Sequence, residues 1–275
     1  MLTLTAILVA TFLLAYFPVW KRLILSWYSS DEYSHGFFIL PLCGYILWQK
    51  KDVLAGVPVS PSSWGLGLVV FSLVLYILSD FAGIVTLASF SIVPLLAGVI
   101  IYSYGFLMLK ELFFPLFLLL FMIPIPAQIY SSLTVPLQLL VTKISVWIAG
   151  FLGIPIYREG NVIHLADRTL EVVQACSGLR SMISLLTLSA VLGYLTLRSN
   201  PLRAVLFVSG IPAAIFVNIV RVLLLVLAFH YINLDLTEGT VHTLFGMGIF
   251  ILAWILIIFT KQALSIWDKE HIPSS

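Results

Sequence analysis

The chain predicts an all-α polytopic membrane protein of about eight transmembrane helices. An amphipathic or re-entrant segment and a short β-hairpin-like outer element are expected before Cys176. Three observations carry this reading. Of 275 residues, 61% are hydrophobic and only 9% charged, where a soluble domain carries about 25% charged residues; mean hydropathy is +1.12. Apolar runs of roughly 20 residues, the length that spans a bilayer, recur along the chain. Residues 127–175 break that pattern with scattered polar groups and local alternation. A net charge of +2 gives no electrostatic footprint for nucleic acid, so the lipid bilayer is the expected surrounding partner. There is no internal repeat and no low-complexity linker, and residues 1–275 read as a single integral membrane domain.

The expected spans are 2–19, 34–49, 64–80, 84–107, 111–126, 176–197, 203–230 and 242–260. The first run lacks a basic start and a small-residue cleavage site, which reads as a retained helix and not a signal peptide. The 34–49 run is short, and Gly36, Pro41 and Gly44 allow it to be irregular or tilted. Pro94, Pro115 and Pro212 are expected to kink their spans, as membrane helices tolerate when neighbours satisfy the freed carbonyls. Residues 128–152 carry Gln128, Ser131, Ser132, Gln138, Thr142, Lys143 and Ser145. That composition suits an interfacial amphipathic helix, or a re-entrant pair with 111–126. Alternation in Asn161–Leu165 and in Thr169–Val173, with Ala166-Asp167-Arg168 between, predicts two short strands in a hairpin.

Basic residues in short loops mark the cytoplasmic side. Lys50, Lys51, Lys110, Arg198, Arg203, Lys261 and Lys269 place both chain ends on the cytoplasmic side of the cytoplasmic (inner) membrane, with Cys176 and His242 at the outer, extracytoplasmic face. Lys21 and Arg22 run against this orientation, because the first span delivers them outside.

Chemistry concentrates in Gln174-Ala175-Cys176-Ser177-Gly178-Leu179-Arg180-Ser181. A thiol at the first turn of a helix sees free N–H groups and the positive end of the helix dipole. Both favour the nucleophilic thiolate. Arg180 lies one turn beyond, able to face the same way. Asn218 and Arg221 are also one turn apart, in an apolar run. Arg221 lies about 13 Å below the outer end of its span at 1.5 Å per residue. A charge there is costly and normally faces a protein interior or a wet cavity. Together these residues read as a cysteine enzyme built inside a membrane. Ser177 is a rival nucleophile without a base beside it in sequence. Cys43 reads as packing, and His164 and His230 as surface residues. The scattered histidines show no His-Glu-x-x-His spacing and no nucleotide loop is visible, so no metal or other cofactor is expected.

The set Glu171-Val172, Ala175-Cys176-Ser177-Gly178-Leu179-Arg180-Ser181, Asn218-Ile219-Val220-Arg221, and His242 with Gly246 resembles the exosortase/archaeosortase family. Asp31-Glu32-Tyr33-Ser34-His35-Gly36 and Pro41 are similar to that family's first outer loop. The resemblance covers nearly the whole chain and is strongest from 160 to 250. It implies that Cys176, Arg221 and His242 are catalytic. It also implies membrane-anchored protein substrates carrying a C-terminal sorting signal: a Pro-Glu-Pro-type (PEP-CTERM) motif, a transmembrane helix and a basic tail. Cleavage near the motif and transfer to an acceptor nucleophile are expected, often where exopolysaccharide is made. Arg180, Asn218, Ser177, Tyr33 and His35 are the expected substrate-binding residues. Two other classes compete. Intramembrane Asn and Arg with kinked helices suit a permease for a small anionic solute, and a non-catalytic scaffold of a polysaccharide export system is the third. A transporter site belongs nearer the midplane and needs no thiol at a helix start.

Overall fold

The computed structural model describes residues 10–30, 33–165, 169–171, 178–234, 236 and 239–270. The chain packs as two compact units, Met1–Pro126 and Ala127–Ser275. The described chain is mostly helical. Among the described residues, five helices are long and apolar enough to cross a membrane: Trp64–Phe81, Val85–Ser103, Ala127–Phe151, Asn200–Ile232 and Gly239–Asp268. Shorter apolar helices run over Gly36–Gln49 and Ser181–Thr196. The protein is therefore a polytopic membrane protein.

In the first unit, residues 10–15 are helical. Helix α1 (Phe17–Ser29) follows, with Pro18 in its first turn, where a missing N–H costs nothing. Val19, Leu23 and Trp27, four residues apart, form its buried face. Lys21 and Arg22, expected beyond the end of a first span at 2–19, instead sit inside this helix. Arg22 Nη1 bonds Asp80 Oδ1 at 2.8 Å. That neutralises the charge that runs against the loop-based orientation rule.

Helix α2 (Gly36–Gln49) buries Ile39, Cys43 and Ile46, and α3 (Lys51–Ala55) is a single turn beyond it. Helix α4 (Trp64–Phe81) packs on α6 (Ile92–Ser103). The expected span 84–107 breaks at Ser91, leaving α5 (Val85–Phe90) before α6. Pro94, in the first turn of α6, has no N–H for the Phe90 carbonyl four residues back, and the helix is interrupted there as expected. Tyr16 donates to Ser91 Oγ at 3.1 Å, and Ser91 in turn donates to the Ala88 carbonyl.

Helix α7 (Phe106–Leu119) holds Pro115 in its interior. Proline offers no N–H to the carbonyl four residues back, that of Glu111. Lys50 Nζ takes over, bonding the Glu111 carbonyl at 3.0 Å and its carboxylate at 2.7 Å. Cys43 Sγ donates to the Pro115 carbonyl at 3.4 Å.

The expected span 111–126 ends early. Helix α7 passes into a 3-10 turn at Leu120–Met122, and Pro124 and Pro126 bar further helix. The carbonyls of this stretch then need side-chain donors. Trp27 Nε1 bonds Met122 at 2.8 Å, His35 Nε2 bonds Phe121 at 2.9 Å, Thr86 bonds Pro124 at 2.8 Å and Tyr33 bonds Ile125 at 3.4 Å.

The second unit opens with α8 (Ala127–Phe151), 25 residues long. Its buried stripe is Thr134, Gln138, Val141, Thr142, Ser145 and Ala149. Three of the polar residues expected to face water therefore turn inward, while Gln128, Ser131, Ser132 and Lys143 stay exposed. Thr134 and Thr142 satisfy themselves on carbonyls one turn back, at 2.6 Å each.

Three antiparallel strands follow: β1 (Ile156–Glu159), β2 (Val162–Leu165) and β3 (Thr169–Glu171), in the order β1-β2-β3. The strand β1, absent from the sequence expectation, has no in–out alternation to betray it, since three of its four residues are exposed. Glu159 pairs with Val162 across Gly160-Asn161, and Gly160 has φ 62. A positive φ at the first central position of a two-residue hairpin is glycine's role. Ile163 and Leu170 pair directly. They pack on Val141, Ala149, Ile154, Val222, Leu225 and Val226, which seats the sheet against α8 and the last turns of α10. Residues 166–168, the expected hairpin turn, lie outside the described residues.

Helices α9 (Gly178–Thr196), α10 (Asn200–Leu227) and α11 (Gly239–Glu270) pack together around Leu185, Leu197, Leu206, Ala214, Val217, Ala253 and Ile257. A π turn (Ala228–Ile232) and Asn233, at φ 51, end α10. The backbone N–H groups of Arg198 and Ser199 donate to the Asp268 carboxylate at 2.8 and 2.9 Å. The basic α9–α10 loop and the far end of α11 therefore sit at one end of this unit. Arg203, at that end, is separated from Arg221 by about 27 Å of helix at 1.5 Å per residue, close to the thickness of a hydrocarbon core.

Gly65 and Gly98 mark the closest approach of α4 and α6. A methyl group at Gly65 would overlap the Tyr102 backbone nitrogen and the Gly98 carbonyl, whereas one at Gly67 meets nothing within 4 Å. Gly65→Ala is expected to destabilise the protein by about 1–3 kcal/mol through overpacking. Gly67→Ala is expected to be neutral or slightly stabilising. Thermal unfolding of the two variants side by side checks this.

Candidate functional site

Asn218 and Arg221 lie on α10, three residues apart and so on one face. His242 lies in the first turn of α11, just after Gly239, whose φ is 67. Helices α10 and α11 pack on one another, which brings these residues together. Arg221 Nη2 is 3.4 Å from His242 Nε2. His242 Nδ1 is 3.0 Å from the Leu236 carbonyl.

These two contacts determine the imidazole's tautomer. A guanidinium has only donors and a carbonyl only accepts. Nε2 must therefore accept from Arg221, and Nδ1 must carry the hydrogen given to Leu236. A lone pair, and not a proton, points at the arginine. The contact at 3.4 Å is long for a hydrogen bond, so the guanidinium is near His242 without being locked onto it.

Two donors are left over. Asn218 is 5% exposed, and its Nδ2 has no hydrogen-bond partner among the described residues. Arg221 Nε is likewise buried and unpartnered. Leaving a buried donor unmade costs about 1–3 kcal/mol, and more for a charged group. The neighbouring Ile219 carbonyl is occupied by Ser145 Oγ of α8 at 3.4 Å. Val222, Leu225 and Phe245 make the surroundings apolar. Gly246, one turn beyond His242, borders open space: a methyl group there meets nothing within 4 Å.

The other residues singled out from the sequence fall elsewhere. Cys176 and Ser177 lie outside the described residues. Arg180 belongs to the first turn of α9 and is described as helix backbone alone. Asp31 and Glu32 also lie outside the described residues. Tyr33 and His35 belong to the first unit, where both donate to backbone carbonyls of the 120–126 stretch. The Leu236 carbonyl, which orients His242, carries no signal in the sequence, because any residue at that position supplies the same atom.

A polytopic helical membrane protein with arginine, histidine and asparagine gathered at the junction of two helices defines a narrow class. Comparison with known families makes it specific. Residues 27–259 match the transmembrane exosortase family, and the chain belongs to that family. Searches of curated proteins and of solved structures find no match.

Tyr33→Phe removes the donor to the Ile125 carbonyl. It is expected to lower stability by about 1 kcal/mol, which thermal unfolding of the variant beside the parent checks.

Proposed function

We propose that this exosortase is a cysteine protease-transpeptidase that cleaves C-terminal sorting signals of the PEP-CTERM type at the outer face of the cytoplasmic membrane and passes the product to an acceptor nucleophile. The observation that carries the reading is the approach of Arg221 Nη2 to within 3.4 Å of His242 Nε2, with His242 Nδ1 held at the Leu236 carbonyl. Membership of the exosortase family supports the sorting role. We place about eight crossings in the chain, with both termini cytoplasmic. The separation of the basic α9–α10 loop from Arg221 along α10 supports that orientation.

The Cys176 thiol passes its proton to His242 Nε2, and Arg221 shifts from that nitrogen to stand beside the thiolate. The thiolate attacks the scissile carbonyl, and a tetrahedral oxyanion forms. A preorganised cation in a dry site stabilises that charge strongly, because little solvent competes with it. The C–N bond then breaks, and the leaving amine takes the proton from His242 Nε2. A thioester to Cys176 remains. His242, again with a free lone pair, removes the proton from the acceptor, which displaces the thiolate. The Leu236 carbonyl holds the ring in place through both transfers. Open space beside Gly246 leaves a substrate segment room to approach.

Replacing Cys176 by Ala is expected to abolish processing while the protein still folds in the membrane. Full-length substrate then accumulates, and mass spectrometry loses the covalent adduct on Cys176. Normal processing by a well-expressed Cys176→Ala variant would falsify the cysteine mechanism. Cys43→Ala, remote in role and bonded to the Pro115 carbonyl, is expected to process normally.

Arg221→Lys is expected to be nearly as damaging as Arg221→Ala, a loss of about 10²-fold or more in rate. Lysine keeps the charge and loses the planar fork that serves two acceptors at once. Single-turnover rates of the two variants decide between them, and full activity with lysine shows that charge alone suffices.

A further inference from the structure

The leftover donors beside His242 have a use that the proton-transfer scheme does not assign. Asn218 Nδ2 and Arg221 Nε are both buried and without partners among the described residues. They lie on one face of α10, one turn apart. Among the described residues, three nearby acceptors are already taken: Ser145 holds the Ile219 carbonyl, Arg221 Nη2 faces His242 Nε2, and the Leu236 carbonyl receives His242 Nδ1–H. A chain folding for stability alone fills such a position with an apolar side chain, since an apolar isostere removes the unmet donor at no cost. Two unmet donors pointing from one helix face are instead the arrangement that receives an oxygen from outside the protein.

We infer that Asn218 Nδ2 and Arg221 Nε form a two-donor subsite for the carbonyl oxygen of the peptide bond to be cleaved, with Asn218 the second donor to the oxyanion. The inference rests on the cysteine-transpeptidase reading for the identity of that oxygen. One neutral and one charged donor suit an oxygen that is neutral on arrival and negative at the transition state. The neutral amide binds the carbonyl, and the charged group gains as negative charge develops. Asn218 then acts on the chemical step more than on binding.

The test uses the full-length protein reconstituted in bilayers, with a reporter ending in a Pro-Glu-Pro motif, a transmembrane helix and a basic tail. Asn218→Leu keeps the side chain's size and removes the donor. The expected result is an unchanged or raised melting temperature, a kcat lowered by about 10²–10³-fold, a KM within a few-fold of the parent, and unchanged alkylation of Cys176 by iodoacetamide. Parental kcat in Asn218→Leu overturns the inference, and so does a loss of activity matched by a fall in melting temperature. If Asn218→Leu does not accumulate in the membrane, Asn218→Ser and Asn218→Ala decide the question. Serine keeps a donor and recovers part of the rate, alanine does not, and equal rates in the two overturn the subsite. Cys176→Ala run in parallel separates the two readings. An inactive Cys176→Ala with a fully active Asn218→Leu sinks the subsite alone. An active Cys176→Ala with an inactive, folded Asn218→Leu sinks the cysteine nucleophile and keeps the subsite.

Discussion

In hydrocarbon, a polar atom has no water to turn to, and its partner must come from the protein itself. Each unit of this chain is organised around that requirement. In the first unit it is met at two places where proline breaks the helical ladder. Pro115 leaves the Glu111 carbonyl without its N–H, and Lys50 supplies the missing donor. Pro124 and Pro126 end the helix outright, and four side chains, Trp27, Tyr33, His35 and Thr86, bond the carbonyls that the broken helix exposes. The outer-loop residues that the exosortase resemblance marks as substrate contacts are thus engaged in holding a backbone. The proline-rich stretch and the loop that holds it depend on one another.

The second unit meets the same requirement at many of its polar groups and departs from it, among the described residues, at His164 Nε2 in the sheet and at Asn218 Nδ2 and Arg221 Nε on α10. The threonines of α8 bond back into their own helix, and Ser145 reaches across to α10. Asp268 satisfies the free N–H groups at the start of the α9–α10 loop. Against that background, the open donors on Asn218 and Arg221 are an exception with a cost. They stand next to a histidine whose tautomer is set by a main-chain carbonyl and whose lone pair faces the arginine. A buried donor left unmet costs stability, and a partner that arrives with the substrate is the reading we propose for this pair.

The steric and ionic contacts of the scaffold serve the same end. The Gly65–Gly98 approach lets α4 and α6 pack backbone to backbone, the close packing that membrane helices use in place of a hydrophobic driving force. Around the candidate site, the sheet face of Ile163 and Leu170 seals α8 against the last turns of α10. A guanidinium in such apolar surroundings is held away from bulk water, where its charge acts over a short distance at high strength.

The sequence by itself determined the class. Long apolar runs with few charges admit no solvent but lipid, and the spacing of Asn218, Arg221 and His242 is legible because helical periodicity and helix order follow from local composition. The strand pair Val162–Leu165 and Thr169–Glu171 is legible for the same reason, through alternation. Tertiary structure decided what local pattern does not encode. It placed Lys21 and Arg22 within a helix and set Arg22 against Asp80, far along the chain. It turned Gln138, Thr142 and Ser145 inward, because α8 packs its polar stripe on protein. It added β1, whose exposed residues carry no alternation. It chose the histidine's tautomer through the Leu236 carbonyl and left two donors on α10 open. Periodicity reports which side of an element is apolar. Which atoms meet across elements depends on partners distant in sequence, and only the folded chain brings those together.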